Sequence, residues 1–192
     1  MNPNNFKYFL LNKPYGVLTQ FTDKEGRKTL GDVCKFPKEV YPVGRLDMDS
    51  EGLLFLTDDK SLTDHLLNPE NKNEKEYYVL VERIPTEEEL DELINGVMIQ
   101  GKKTLPAKVK KITDPGFPER VPPVRFRKNV TDCWLSIIIT EGRHRQVRKM
   151  TAAIGHPTLR LVRVRMKNLL LGNLKPGETR ELSPKVIEDL KK

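Results

Sequence analysis

The side chains able to do chemistry gather at a few places in the chain. Arg45 stands two positions before Asp47 in Gly44-Arg45-Leu46-Asp47-Met48-Asp49-Ser50-Glu51-Gly52, between the apolar runs Val40–Val43 and Leu53–Leu56. Acids, an arginine and glycines between two strands describe a tight loop. A carboxylate beside a guanidinium is held ionised and can act as nucleophile, base or electrostatic stabiliser; a solvated acidic turn has the same composition. Farther on, Glu141-Gly142-Arg143-His144-Arg145-Gln146-Val147-Arg148-Lys149-Met150 masses cations along a helix. At helical spacing Arg145, Arg148 and Lys149 share a stripe, where like charges repel unless a carboxylate or phosphate offsets them. The helix N-terminus adds its own partial positive charge. Tyr77 and Tyr78 point to opposite faces of one strand. Lys13, between Asn12 and Pro14-Tyr15-Gly16, faces either a phosphate or solvent.

The pattern also predicts the elements that must position these groups. Phe6–Leu11 and Val17–Phe21 read as strands around the turn Asn12–Gly16, and Thr29–Val33 as a short helix. Thr57 or Asp58 caps a helix over Lys60–Leu67, which Asn68-Pro69 ends. Lys75–Val81 has the aromatic and β-branched content of a strand. Thr86 and Glu89 form a capping box, Leu90, Leu93 and Ile94 an apolar stripe, and Gly96 a C-terminal cap. Val97–Ile99 and Ala107–Ile112 read as a hairpin around Gly101-Lys102-Lys103. Asp114–Pro123, rich in proline, is a surface loop with Arg120, Arg125 and Arg127 as candidate substrate contacts. The apolar strand Cys133–Thr140 feeds the basic helix, whose Val147, Met150, Thr151 and Ile154 face inward. Thr158–Arg165 alternates apolar and basic, giving a half-buried strand with one positive face. Turns follow at Gly172-Asn173 and Lys175–Glu178, then a C-terminal helix from Ser183-Pro184.

Composition narrows the function classes. The chain of 192 residues fits one domain or two small subdomains, and its 37% hydrophobic content can fill a core. A net charge of +7 and a pI near 9.3 favour an anionic partner. The charge is also segregated: Glu87-Glu88-Glu89 and Asp91-Glu92 oppose an almost purely basic Arg143–Arg165, which suits a polyphosphate backbone. No stretch is long and apolar enough to span a bilayer, and the N-terminus has no leader pattern, so a cytoplasmic protein is expected. Cys34 and Cys133 lack the spacing of a disulfide framework or zinc site and read as packing residues.

Four stretches then match one pattern in order: Asn12-Lys13-Pro14-Tyr15-Gly16, Gly44-Arg45-Leu46-Asp47, Lys75-Glu76-Tyr77-Tyr78-Val79, and Glu141 through Met150. Together they resemble the RsuA/RluB/RluE/RluF family of bacterial ribosomal RNA pseudouridine synthases, over about Lys7 to Leu182. The likeness is nearest to the RluE branch, which acts on 23S ribosomal RNA, through Gln20–Asp23, Gly26–Leu30 and Thr158–Leu161. Many members begin with an S4-type RNA-binding module; this chain starts directly at the catalytic domain's first strand, so recognition would fall to that domain's own basic surface. Met48 stands where the branch carries a basic residue.

The resemblance implies a pseudouridine synthase catalytic domain over 1–192: an α+β fold with a mixed, mostly antiparallel sheet in two subdomains, about 6–67 and 75–182. A central catalytic cleft would bring the Asp47 loop to the Arg143–Ile154 helix. Asp47 is then the catalytic aspartate, Arg148 its partner, and Tyr77 the active-site tyrosine that stacks on uracil or accepts a proton, with Tyr78 its inward neighbour. The reaction breaks the N1–C1′ bond of a uridine, turns the base and rejoins it through C5. Whether Asp47 bonds to the sugar or supports a glycal-type intermediate stays open. Lys13, Arg45, Arg143, Arg145 and Gln146 are the RNA-binding candidates, and His144 an RNA contact rather than a base. No cofactor or metal is expected; the partner is ribosomal RNA, and the enzyme a monomer. Two other classes compete: a non-catalytic ribosomal-RNA-binding or assembly protein that keeps the fold, and a hydrolase using Asp47 and Asp49 as an acid/base pair.

Overall fold

A computed structural model of the chain describes residues 6–124 and 131–191, so Arg125 and Arg127 lie outside the described residues. The chain divides into two compact units, residues 1–73 with 163–192, and residues 74–162. Residues 163–182, expected in the second unit, belong to the first.

In the first unit, β1 (Tyr8–Lys13) pairs antiparallel with β3 (Glu51–Thr57), placing Leu11 opposite Leu54 and Lys13 opposite Gly52. Every residue of β3 is buried, as an apolar run covered on both faces should be. Leu11, Val17, Leu30, Val40, Leu54 and Leu56 form one core cluster, with Phe9, Phe21, Val33 and Phe36 packed on it. A short β2 (Tyr41–Pro42) lies on β3. α1 (Lys60–Leu67) follows, and its N-cap is Asp59, not Thr57 or Asp58: the Asp59 carboxylate accepts from the Leu62 amide at 3.0 Å. Val17–Phe21, expected as a strand, makes only a bridge from Leu18 to Thr29, because the segment is turned rather than extended.

The second unit opens with β4 (Lys75–Glu82) and α2 (Glu87–Asn95), whose Thr86–Glu89 capping box and Gly96 end are those expected. β5 (Met98–Ile99) and β6 (Lys102–Lys103) form a small hairpin by themselves. The expected partner of Val97–Ile99 goes elsewhere: β7 (Lys108–Ile112) pairs with β8 (Asp132–Ile139), which also pairs with β4, giving the order β4-β8-β7. α3 (Gln146–Ala153) and β9 (Thr158–Met166) complete the run, and the boundary between the units falls inside β9.

Back in the first unit, β10 (Leu169–Leu170) folds onto β9, and β11 (Thr179–Glu181) pairs with β1. α4 (Pro184–Lys191) buries Ile187 and Leu190. Strands this short carry no periodicity of their own, which is why the sequence shows only turns there. The ladders registered are antiparallel, and the architecture is α+β.

Candidate active site and basic surface

In the first unit, the loop between β2 and β3 is fixed from beneath by the turn that follows β1. Leu46 is buried, Asp47 half-buried, and Arg45 and Met48 exposed. The Thr19 hydroxyl donates to the Leu46 carbonyl at 2.6 Å and accepts from the Leu46 amide at 3.2 Å. The Gly16 amide donates to the Met48 carbonyl at 2.8 Å, and the Ser50 amide to that of Asp47 at 3.0 Å. Gly16 reaches its position with a φ of +76°, which a side chain would resist. Successive peptide planes on both sides of Asp47 are therefore held.

Lys13 is part of this support and not a phosphate contact. It is fully buried, and its ammonium donates to the carbonyls of Pro14 (2.9 Å) and Val17 (2.7 Å), with that of Met48 at 3.5 Å. β1 carries the side chain into the core, so it meets neither solvent nor RNA. Burial lowers its pKa to about 8, against the opposing pull of Glu51, Asp49 and Asp47. Arg163 is a second buried cation of this unit, its Nε donating to the Leu53 carbonyl at 2.7 Å. The expected positive face of β9 is thus not a solvated one. Arg160, in the second unit, is buried too, lies over the Phe117 ring at 5.5 Å and donates to the Pro118 carbonyl.

In the second unit, Tyr77 shares a face with Val79 and Val81, opposite Ile137, Leu135 and Cys133. Tyr77 is buried, whereas Tyr78 is half-buried on the other face, 6.1 Å from Phe117. The inward tyrosine is Tyr77, reversing the expectation for Tyr78. Phe117 also meets Trp134 edge-on at 5.8 Å, so the proline-rich loop is pinned to that face. Arg120 ties the loop to itself, donating to the carbonyls of Pro122 and Pro123.

The basic stretch divides its cations between two tasks. Arg145 adopts the left-handed conformation at the N-cap of α3 and so leaves the stripe expected for it. Val147, Met150, Thr151 and Ile154 are buried, as the spacing requires. Gln146 is buried as well: it accepts from the Arg143 amide at 2.9 Å and donates to Glu141 at 2.5 Å, so its amide is engaged within the protein. Arg143 latches the β5–β6 hairpin, donating to the carbonyls of Ile99 (2.7 Å), Lys102 (3.2 Å) and Lys103 (3.5 Å). That fork geometry is one a lysine lacks. Lys149 reaches Gln100 and the His144 carbonyl, both at 2.8 Å. The exposed cations left by these contacts are Lys102 and Lys103, beside exposed His144. Arg148 is half-buried on α3.

Thr19 escaped sequence reasoning: a threonine in a turn gives no signal of which peptide it will hold. Comparison with known proteins then decides the family. The model described as RNA pseudouridylate synthase matches residues 7–153, a span that holds all four motifs. The chain belongs to that family. It is 54% identical over 177 residues to a protein named ribosomal large subunit pseudouridine synthase E from Vibrio vulnificus, covering 92% of this chain and 75% of the relative. The protein of the same name from Xanthomonas campestris is 50% identical, with 89% and 92% covered. A solved structure described as a pseudouridylate synthase superposes with a TM-score of 0.79 at 29% identity, over 97% of this chain and 74% of the other. The chain is accordingly an RNA pseudouridine synthase, with the α+β fold its motifs imply. Among the described residues, no helix is long and apolar enough to cross a membrane.

Proposed function

We propose that the enzyme isomerises a uridine of large-subunit (23S) ribosomal RNA to pseudouridine, with Asp47 as its catalytic carboxylate and Tyr77 and Arg148 acting with it. The observation that carries this reading is the pinned Asp47 loop, in a chain half identical to enzymes named for the large ribosomal subunit. A carboxylate that must meet C1′ of a nucleotide gains from a fixed backbone, because misplacement by an ångström costs on the order of a hundredfold in rate. The reaction breaks N1–C1′, forms C1′–C5, releases the C5 proton and protonates N1, so atoms balance without a co-substrate. The target base leaves its stack to react, at roughly a few kcal/mol. Arg45, exposed beside Asp47, and Arg145, Lys102 and Lys103 are the cations we assign to the flanking phosphates.

Tritium release tests the proposal. Ribosomal RNA labelled at uracil C5, from cells lacking this protein, is incubated with wild type and with Asp47→Asn. Release by the wild type alone is expected. Release by both removes Asp47 from the mechanism; free uracil in place of pseudouridine indicates a hydrolase. No release by either, on free RNA and on ribosomal particles, indicates a non-catalytic RNA-binding protein.

A further inference from the structure

Building on the assignment of Asp47 as the catalytic carboxylate, we infer that Thr19 is a positioning residue for the reaction, fixing the two peptide planes on the N-terminal side of Asp47. Its hydroxyl has one proton, donated to the Leu46 carbonyl at 2.6 Å, and accepts the Leu46 amide at 3.2 Å. One side chain thereby sets both dihedrals of the residue before Asp47. The planes on the C-terminal side are set differently, by the Ser50 amide on the Asp47 carbonyl and by Gly16 and Lys13 on that of Met48. Asp47 thus sits between backbone anchors on both sides, and the contacts to Leu46 and Met48 come from the 13–19 turn.

The anchor is itself anchored. The Gln20 amide donates to the Leu18 carbonyl at 2.9 Å, closing a three-residue turn with Thr19 at its apex. On either side, Leu18 N–H donates to Lys28 O and Leu30 N–H to Gln20 O, both at 2.8 Å. Leu30 is buried in the core cluster, so the hydroxyl is referenced to the packed interior of the unit. Thr19 is itself buried. Its effect on the reaction must therefore pass through the Leu46 backbone.

Thr19→Val keeps the shape and removes the hydroxyl; Thr19→Ser keeps the hydroxyl. In the tritium-release assay, at equal concentrations of folded enzyme, kcat of Thr19→Val falls about 30- to 100-fold while KM stays within about threefold. Thr19→Ser recovers most of kcat. A residue that only stabilised the fold would lower Tm and leave kcat of the folded enzyme at the wild-type value, and that result overturns the inference. So would a fall in Thr19→Ser equal to that in Thr19→Val. If Thr19→Val does not accumulate folded, Thr19→Cys replaces it, with a weaker donor of similar size: an intermediate kcat is expected, and a wild-type kcat overturns the inference. Asp47→Asn run in parallel separates the two levels. An inactive Asp47→Asn beside a fully active Thr19→Val refutes the role of Thr19 alone, whereas an active Asp47→Asn refutes the assignment beneath it.

Discussion

Replacing Lys13 by methionine separates two opposing effects of burying this cation. The fully buried ammonium makes two short hydrogen bonds, to Pro14 O at 2.9 Å and Val17 O at 2.7 Å. Leaving two such acceptors unpaired costs on the order of 2–5 kcal/mol. Against that, burial lowers the Lys13 pKa from the usual 10.5 to about 8, a penalty on the charged form of roughly 3 kcal/mol at about 1.4 kcal/mol per pH unit. At pH 7 the two effects largely offset, so Lys13→Met changes stability by between about a 1 kcal/mol gain and about a 2 kcal/mol loss. The sign of the pH dependence is the sharper test. Below pH 8 both folded and unfolded chains hold the proton, and the penalty is constant. Between pH 8 and 10.5 the unfolded chain keeps it while the folded chain releases it, so wild-type stability rises with pH relative to a variant that has no such group. A neutral amine still serves both carbonyls. Urea unfolding of both proteins at pH 7, 8.5 and 10 should show the wild-type advantage growing by roughly 2–3 kcal/mol, other titrations cancelling between them. An advantage that stays constant or shrinks across that window refutes the reasoning.

Two other changes test single contacts. Arg143→Lys removes the fork that holds the β5–β6 hairpin. Limited tryptic cleavage at Lys102 and Lys103 should speed up about tenfold, equivalent to about 1.4 kcal/mol of local opening; an unchanged rate denies Arg143 its latching role. Gly96→Ala drives a Cβ into the Thr104 carbonyl oxygen at a φ of +88°. A loss of more than about 2 kcal/mol in urea unfolding is expected, and a loss under about 0.5 kcal/mol would contradict that geometry.

Much of the secondary structure was legible because it is local. The Thr86–Glu89 box, the buried face of α3 and the wholly buried β3 follow from side-chain type and spacing within a few residues. The family was legible for the same reason, since its four motifs are contiguous stretches. Pairing over long distances was not. β7 goes to β8 instead of the β5–β6 hairpin, and 163–192 returns to the first unit, because strand partners are chosen by burial across the whole chain.

The fate of individual cations was legible least of all. By sequence, Lys13, Arg143, Arg160 and Gln146 are polar groups suited to RNA; in the structure each lies against protein carbonyls, a carboxylate or a ring. Sequence determined that this chain carries Asp47 on a tight loop between strands, and that it is basic and of this enzyme family. Only the tertiary structure decided which hydroxyl and which amine hold that loop. A hydrogen bond between Thr19 and Leu46 spans 27 residues of chain, and its existence depends on how the core between them packs.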